Sequence, residues 1–225
     1  MPSALRTRSH FDFDYVDTGG ARLRYVSKGR GPLVLFVHGF PESWYSWRHQ
    51  LEPVAEAGFC AVAVDVRGYG GSTKRFAVPE YSMAALTADM AGAAQALSPD
   101  EPAIIIGHDW GAPIAWTSAL LYPERFRAVA GLSIPHAAPS EEPTDEVHDR
   151  IFTKRGKWFY QVDFQQEGIA EAELEADPAE TILRFYYALS GDVPEGSWPA
   201  DKSPGDGLLK AVSYTHLTLP TTPYV

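Results

Sequence analysis

A chain of 225 residues, 45% hydrophobic and 21% charged, has the composition of an ordinary soluble globular protein, which excludes disorder and suggests one good-sized domain with room for an insertion. The formal net charge of −10 counts against a nucleic-acid binder. The single cysteine, Cys60, excludes an internal disulfide and a cysteine zinc cluster. The N-terminal stretch MPSALRTRSHFDFDYVDTGG lacks the apolar segment of a signal peptide, and no run reaches the roughly 18 apolar residues of a membrane span. A cytoplasmic enzyme is the default expectation, with no membrane and no nucleic acid as partner.

Phe13 to Asp17 and Arg22 to Ser27 read as a hairpin around Thr18-Gly19-Gly20-Ala21. Four short apolar runs follow: Pro32 to Val37, Ala61 to Val66, Ala103 to Ile106 and Ala128 to Ile134. Bounded by Gly and Pro, they fit strands buried on both faces. Between them Leu86, Met90, Ala93 and Leu97 share a helical face, and Trp110 to Leu121 reads as a second apolar helix. Alternating strands and helices predict an α/β fold with a doubly wound, mostly parallel sheet.

Beyond Pro135 the pattern changes. Ser140 to Arg150 is polar and acidic, and KWFYQVDFQQ and AEAELEADPAETILRFYYAL are two segments of helical periodicity with no strand between them. They read as a helical cap inserted over the sheet edge, followed by a Pro- and Gly-rich loop from Asp192 to Gly207. The expected organisation is an N-terminal core over 1–137, a partial helical cap over 138–210, and a tail over 211–225. That tail, AVSYTHLTLPTTPYV, has no Asp, Glu, Lys or Arg. Val212 to Thr221 can be written, in frame, as the transposon-end adapter of sequencing libraries, and on that reading the natural protein continues past Lys210 and His216 is no candidate base. The competing reading is a genuine C-terminal strand built on Val212, Tyr214, Leu217 and Leu219.

The chemistry concentrates in VLFVHGFPESWYSW and AIIIGHDWGAPIAW. Gly107-His108-Asp109-Trp110-Gly111 follows an apolar strand and opens an apolar helix, the context of a nucleophile elbow, with Asp at its centre. A carboxylate nucleophile suits attack on saturated carbon: it forms an ester whose acyl carbon belongs to the enzyme, and water then attacks that carbon. The bland alternative makes Asp109 an N-cap. His38-Gly39-Phe40-Pro41 follows the earlier strand. Its Phe40 N–H, with the Trp110 N–H, would form an oxyanion hole. His38 is more plausible as a hydrogen-bonding member of its loop than as a base. Trp44, Trp47 and Trp110 are expected to wall an apolar pocket, with His38 and Pro41 beside Trp110 at the substrate. No cofactor and no metal are implied.

HGFPESWYSWRHQL, DVRGYGGS, GHDWG and LYPERFRAVA resemble the epoxide hydrolases of the α/β-hydrolase superfamily, and YQVDFQQEGIAEAELE resembles the first cap-helix region of the mammalian-type soluble enzymes. The resemblance covers about Phe13 to Leu189. It implies an incomplete α/β-hydrolase fold, Asp109 as nucleophile, Tyr160 as the first of two cap tyrosines that hydrogen-bond the epoxide oxygen, and a small apolar epoxide and water as substrates. A phenol suits that task because the ring oxygen becomes an alkoxide as carbon is attacked. The alternative for Tyr160 is an aromatic packed beside Trp158 and Phe159. A second cap tyrosine, an acid and a water-activating His would lie beyond this chain, since His10, His49, His136 and His148 do not match the base position. Two other readings stay open. Haloalkane dehalogenases share the Asp nucleophile and Trp110 but need a halide-binding partner where this chain has Phe40. A fragment lacking its base would be alkylated yet scarcely turn over.

Overall fold

The computed structural model describes residues 12–74, 77–138, 142–191 and 209. The tail from Ala211 and the expected loop from Asp192 to Gly207 lie outside the described residues. Two compact units divide between Ala137 and Ala138.

The first unit is a mixed sheet of β1 (Asp14–Asp17), β2 (Arg22–Lys28), β3 (Leu33–Val37), β4 (Cys60–Val64), β5 (Ala103–His108) and β6 (Phe126–Leu132). Their spatial order is β1-β2-β4-β3-β5-β6. β1 and β2 form the expected hairpin, Asp14 opposite Tyr25, closed by a hydrogen bond from Thr18 N–H to the Ala21 carbonyl (2.9 Å). β2 runs antiparallel to β4, while β3, β4, β5 and β6 run parallel. Helices α1 (Arg48–Glu56), α2 (Met83–Leu97) and α3 (Gly111–Leu121) make the connections, with a 3₁₀ turn at Trp44–Trp47 before α1.

Every residue of β3 is buried, because its alternate side chains enter two different cores. Leu33, Leu35 and Val37 join Met90 and Ala94 of α2 and Ile114 and Ala115 of α3. Val34 and Phe36 face the other way, into a core with Leu51 of α1, Trp44 and Trp47. Ala61 and Ala63 of β4 are small members of that second core, which gives the indoles room; the Phe36 and Trp47 rings lie 4.9 Å apart. Trp44 and Trp47 are each 5% exposed. They are core residues rather than the pocket wall the sequence suggested, since the 3₁₀ turn aims them down onto the sheet.

β6 departs from expectation. Only Phe126 of the strand is buried, so it is not covered on both faces. Among the described residues it is the terminal strand of the order, paired only with β5, and α3 supplies its cover. The Trp116 Nε1–H of α3 donates to the Ile134 carbonyl (3.1 Å).

The second unit is helical: α4 (Thr144–Ile151), α5 (Tyr160–Asp163), α6 (Ile169–Leu174) and α7 (Pro178–Ala188). α4 falls in the segment read only as polar and acidic. Its helicity rests on Asp145 and Glu146 in the first turn and His148 and Arg150 in the last, which complement the helix dipole. The longer periodic segment splits into α6 and α7, because Pro178 starts a new helix and the Asp177 carboxylate caps it through the N–H groups of Ala179 and Glu180. Phe185 is core here at 7% exposure, whereas Tyr186 is 47% exposed.

Candidate active site

The loops that follow β3, β4 and β5 gather at the carboxyl ends of the parallel strands, where open α/β sheets bind ligands. β5 turns into α3 through Gly107-His108-Asp109-Trp110-Gly111. Asp109 has φ 51°, in the left-handed region that side chains other than Gly, Asn and Asp rarely occupy. The two glycines explain how the corner closes. A Cβ on Gly107 would lie 1.9 Å from the Gly111 carbonyl oxygen, and one on Gly111 would lie 2.1 Å from the Val37 oxygen. Strand, elbow and helix approach so closely that only backbone fits between them.

The Asp109 carboxylate does not cap α3. The N-cap position is Trp110, without a side-chain cap. Asp109 Oδ1 instead accepts the backbone N–H of Phe40 (2.9 Å) from the loop after β3. Just before the helix N-terminus, the carboxylate also meets the positive end of the α3 dipole. The Trp110 amide borders the same space, for a Cβ on Gly39 would lie 2.7 Å from Trp110 N and 2.3 Å from Asp109 Oδ1. Trp110 itself is 40% exposed. The Phe40–Pro41 peptide is cis.

The loop bearing Phe40 is pinned from several sides. His38 is 1% exposed. Val66 N–H donates to its Nε2 (2.9 Å), which makes Nε2 the acceptor; Nδ1 then carries the proton and donates to the Gly39 carbonyl (2.8 Å). Both ring nitrogens are engaged within the protein, and burial holds the imidazole below its usual pKa. Glu42 joins the two halves of the site: its Oε2 accepts Gly39 N–H (3.0 Å) and its Oε1 pairs with Nδ1 of His108, beside Asp109 (2.8 Å).

A family model for the alpha/beta hydrolase fold matches residues 32–220. The chain belongs to the α/β-hydrolase family. Epoxide hydrolase A of Mycobacterium tuberculosis is 44% identical over 176 residues, which are 77% of this chain and 54% of that protein. Bifunctional epoxide hydrolase 2 of Sus scrofa is 43% identical over 171 residues, 75% of this chain and 30% of that one. Among solved structures, epoxide hydrolase A from Mycobacterium thermoresistibile superposes with a TM-score of 0.81 at 40% identity, covering 89% of this chain and 63% of its own. An epoxide hydrolase from an endophytic Streptomyces gives 0.78 at 42%, covering 91% and 66%. This α/β-hydrolase thus spans about half the length of its M. tuberculosis relative.

Two site residues of this α/β-hydrolase went unread in the sequence, Glu42 and Asp65. Asp65 is fully buried. Its Oδ1 accepts Trp44 N–H (3.1 Å), and its Oδ2 takes Gly71 N–H (3.1 Å) and pairs with Arg24 (2.6 Å). It ties the loop after β3 to the loop after β4. The available signal was an acid between Pro41 and Ser43 in PESW and one inside the apolar run AVDV. Tyr160 opens α5 in the second unit, between the rings of Phe159 (5.1 Å) and Phe164 (5.5 Å), and its hydroxyl oxygen accepts from Gln161 Nε2 (3.0 Å). Among the described residues no His, Cys, Asp and Glu cluster has the form of a metal site, and no helix is long and apolar enough to cross a membrane.

Proposed function

We propose that this chain carries the nucleophile of an epoxide hydrolase that opens small apolar epoxides to vicinal diols with water, in the cytoplasm. The observation that supports it most is the hydrogen bond from Phe40 N–H to Asp109 Oδ1, which engages one carboxylate oxygen and leaves Oδ2 to attack. Oδ2 bonds to a ring carbon, the C–O ring bond breaks, and the alkoxide takes a proton from the Tyr160 phenol on the helical second unit, read as a cap. Water, its proton taken by the histidine base that the resemblance places beyond this chain, then adds to the Asp109 acyl carbon. The N–H groups of Phe40 and Trp110 stabilise the oxyanion, and collapse frees a diol that keeps an oxygen from Asp109. Pro41 and Trp110 border the substrate, while His38 supports the loop from below. The names of the relatives, epoxide hydrolases in mycobacteria and mammals, favour epoxide as the electrophile.

The test is mass spectrometry of the Asp109 peptide after exposure to a styrene-type epoxide in heavy-oxygen water, with the chain extended to the length of its relatives so that the water-activating His expected beyond it is present. An alkyl adduct on Asp109, and heavy oxygen in Asp109 after its hydrolysis, is the expected result. Label appearing directly in the diol, with Asp109 unlabelled, would mean that activated water attacks the ring and would overturn the covalent reading. Halide release from a chloroalkane, without reaction of the epoxide, would assign the site to the dehalogenases instead.

A further inference from the structure

The carbonyl that accepts from His38 and the N–H that donates to Asp109 belong to one peptide unit. Gly39 C=O and Phe40 N–H share a plane and point in opposite directions, as any trans peptide requires. His38 Nδ1–H holds the carbonyl end at 2.8 Å, and Asp109 Oδ1 holds the N–H end at 2.9 Å. We infer that His38, locked as its neutral Nδ1–H tautomer by the Val66 amide, is the positioning residue that sets the direction of the oxyanion-hole N–H.

Three features make this more than a buried contact. First, the residue that must swing is next to glycine, whose backbone has no side-chain restraint on peptide rotation. The Glu42 N–H also donates to this carbonyl at 3.2 Å, a longer bond than the 2.8 Å one from His38; without the shorter anchor the Gly39–Phe40 plane could turn its N–H away from Asp109. Second, the anchor is rigid. The imidazole is closed at both nitrogens, edge-on to Tyr69 at 4.8 Å, and Val66, two residues past β4, is buried in the core. Third, the preceding peptide is fixed separately, by Gly39 N–H on Glu42, so the rotation left to control is that of the Gly39–Phe40 plane. His38 touches no reacting atom and acts through that plane. An oxyanion donor works only if it already points where charge will develop.

The inference rests on Phe40 N–H being an oxyanion donor, yet its structural half can be read without substrate. In the full chain labelled with nitrogen-15, long-range proton–nitrogen correlation should show His38 with a protonated Nδ1 and an unprotonated Nε2. A protonated Nε2, or an exchanging mixture of tautomers, would overturn the inference with no variant needed. Two substitutions then separate the bonds. The amide of His38→Asn can place its NH₂ at the Nδ1 position and keep the Gly39 contact. The longer side chain of His38→Gln reaches the Nε2 position and keeps the Val66 contact. Hydrogen-exchange protection of the Phe40 amide should survive in H38N and fall roughly three- to tenfold in H38Q, the range of one lost hydrogen bond. Equal protection in both would show a structural residue with no hold on the peptide. In the protein extended to carry the water-activating His, and with an epoxide that alkylates Asp109, H38N should hydrolyse the ester faster than H38Q while both form it at similar rates. If no ester forms in any form of the protein while the protection pattern holds, the epoxide reading fails and the positioning role stands.

Discussion

Replacing Gly39 by alanine probes the contact on which the candidate site depends. The backbone of Gly39 lies outside the left-handed region, so alanine can adopt it and only the added methyl matters. That methyl would stand 2.5 Å from Asp109 Cβ and 2.7 Å from Trp110 N, and neither atom is the loose end of a flexible chain. Bringing the Cβ contact from 2.5 to 3.4 Å, the near edge of ordinary contact, moves the loop and the elbow apart by about 0.9 Å. The same shift applied to the 2.9 Å bond from Phe40 N–H carries it past 3.5 Å, where it no longer counts as a hydrogen bond. Overpacking costs about 1–3 kcal/mol and the lost bond about 1 more, so G39A should lose about 2–4 kcal/mol by urea unfolding followed by circular dichroism. If the ester intermediate forms, its hydrolysis should slow about 10²–10³-fold, the effect of one missing oxyanion donor. Gly58→Ala is the reference: its φ is +89° with nothing within 4 Å of a Cβ, so it should cost about 1–2 kcal/mol of backbone strain and leave the Phe40 amide untouched. A G39A protein no less stable than G58A, with the Phe40 amide still protected, would refute the steric reasoning.

Burial holds His38 below its ordinary value of 6.5, so the unfolded chain takes up a proton that the folded protein refuses. Stability from this group is complete above about pH 6.5 and falls as pH drops below it, by up to about 1.4 kcal/mol per unit until the folded pKa is reached; unfolding midpoints across that range should show the slope in the wild type and lack it in His38→Asn. Arg67 pairs with Asp89 through Nε and a second nitrogen (2.7 and 2.8 Å), with side chains 6% and 1% exposed. Arg67→Met leaves that carboxylate buried and should cost about 3–5 kcal/mol, most of it recovered in Arg67→Met/Asp89→Leu; a double variant as unstable as the single would show that the pair itself stabilises. Asp177→Ala removes the acceptor for two amides at the start of α7 and should cost the second unit about 1 kcal/mol, read as faster hydrogen exchange in the first turn of that helix; unchanged exchange there would remove the cap from the account.

What the sequence made legible follows from where the information resides. β3 and β4 announce themselves because a strand buried on both faces has no polar alternation to confuse it, β5 because its partly buried face, Ile104 and Ile106, is apolar as well, and GHDWG is local: strand, glycine, acid, glycine and helix are contiguous. β6 has the same apolar composition but closes the strand order, so its burial depends on neighbours that its own residues do not name. Trp44 and Trp47 were legible as aromatic yet not as core, since the 3₁₀ turn that aims them is set by Ser43 capping Tyr45 N–H and by the Asp65 carboxylate 21 positions from Trp44. Glu42 and Asp65 were illegible for the same reason. Their partners lie on loops that only the parallel pairing of β3 with β4 and β5 brings together. A periodicity argument cannot see a hydrogen bond that exists because two loops end at one edge.

The same geometry accounts for how a residue at φ 51° persists at Asp109. Strain of this kind costs on the order of 1–3 kcal/mol and survives where the surroundings over-determine it. Here the constraints come from both sides of the corner. β5 is held in register by β3 and β6, with Ile106 opposite both Phe36 and Ala130, and α3 is pressed against β5 through the two glycines of the elbow. The Asp109 N–H is itself taken by the Leu132 carbonyl at the end of β6 (3.3 Å), and its own carbonyl starts α3 by accepting from Ala112 (2.9 Å). Relaxing φ at Asp109 would therefore break strand pairing on one side and helix initiation on the other. The carboxylate is left projecting at the one point where the backbone cannot yield, which is the condition a nucleophile needs if its attack angle is to be fixed before a substrate arrives.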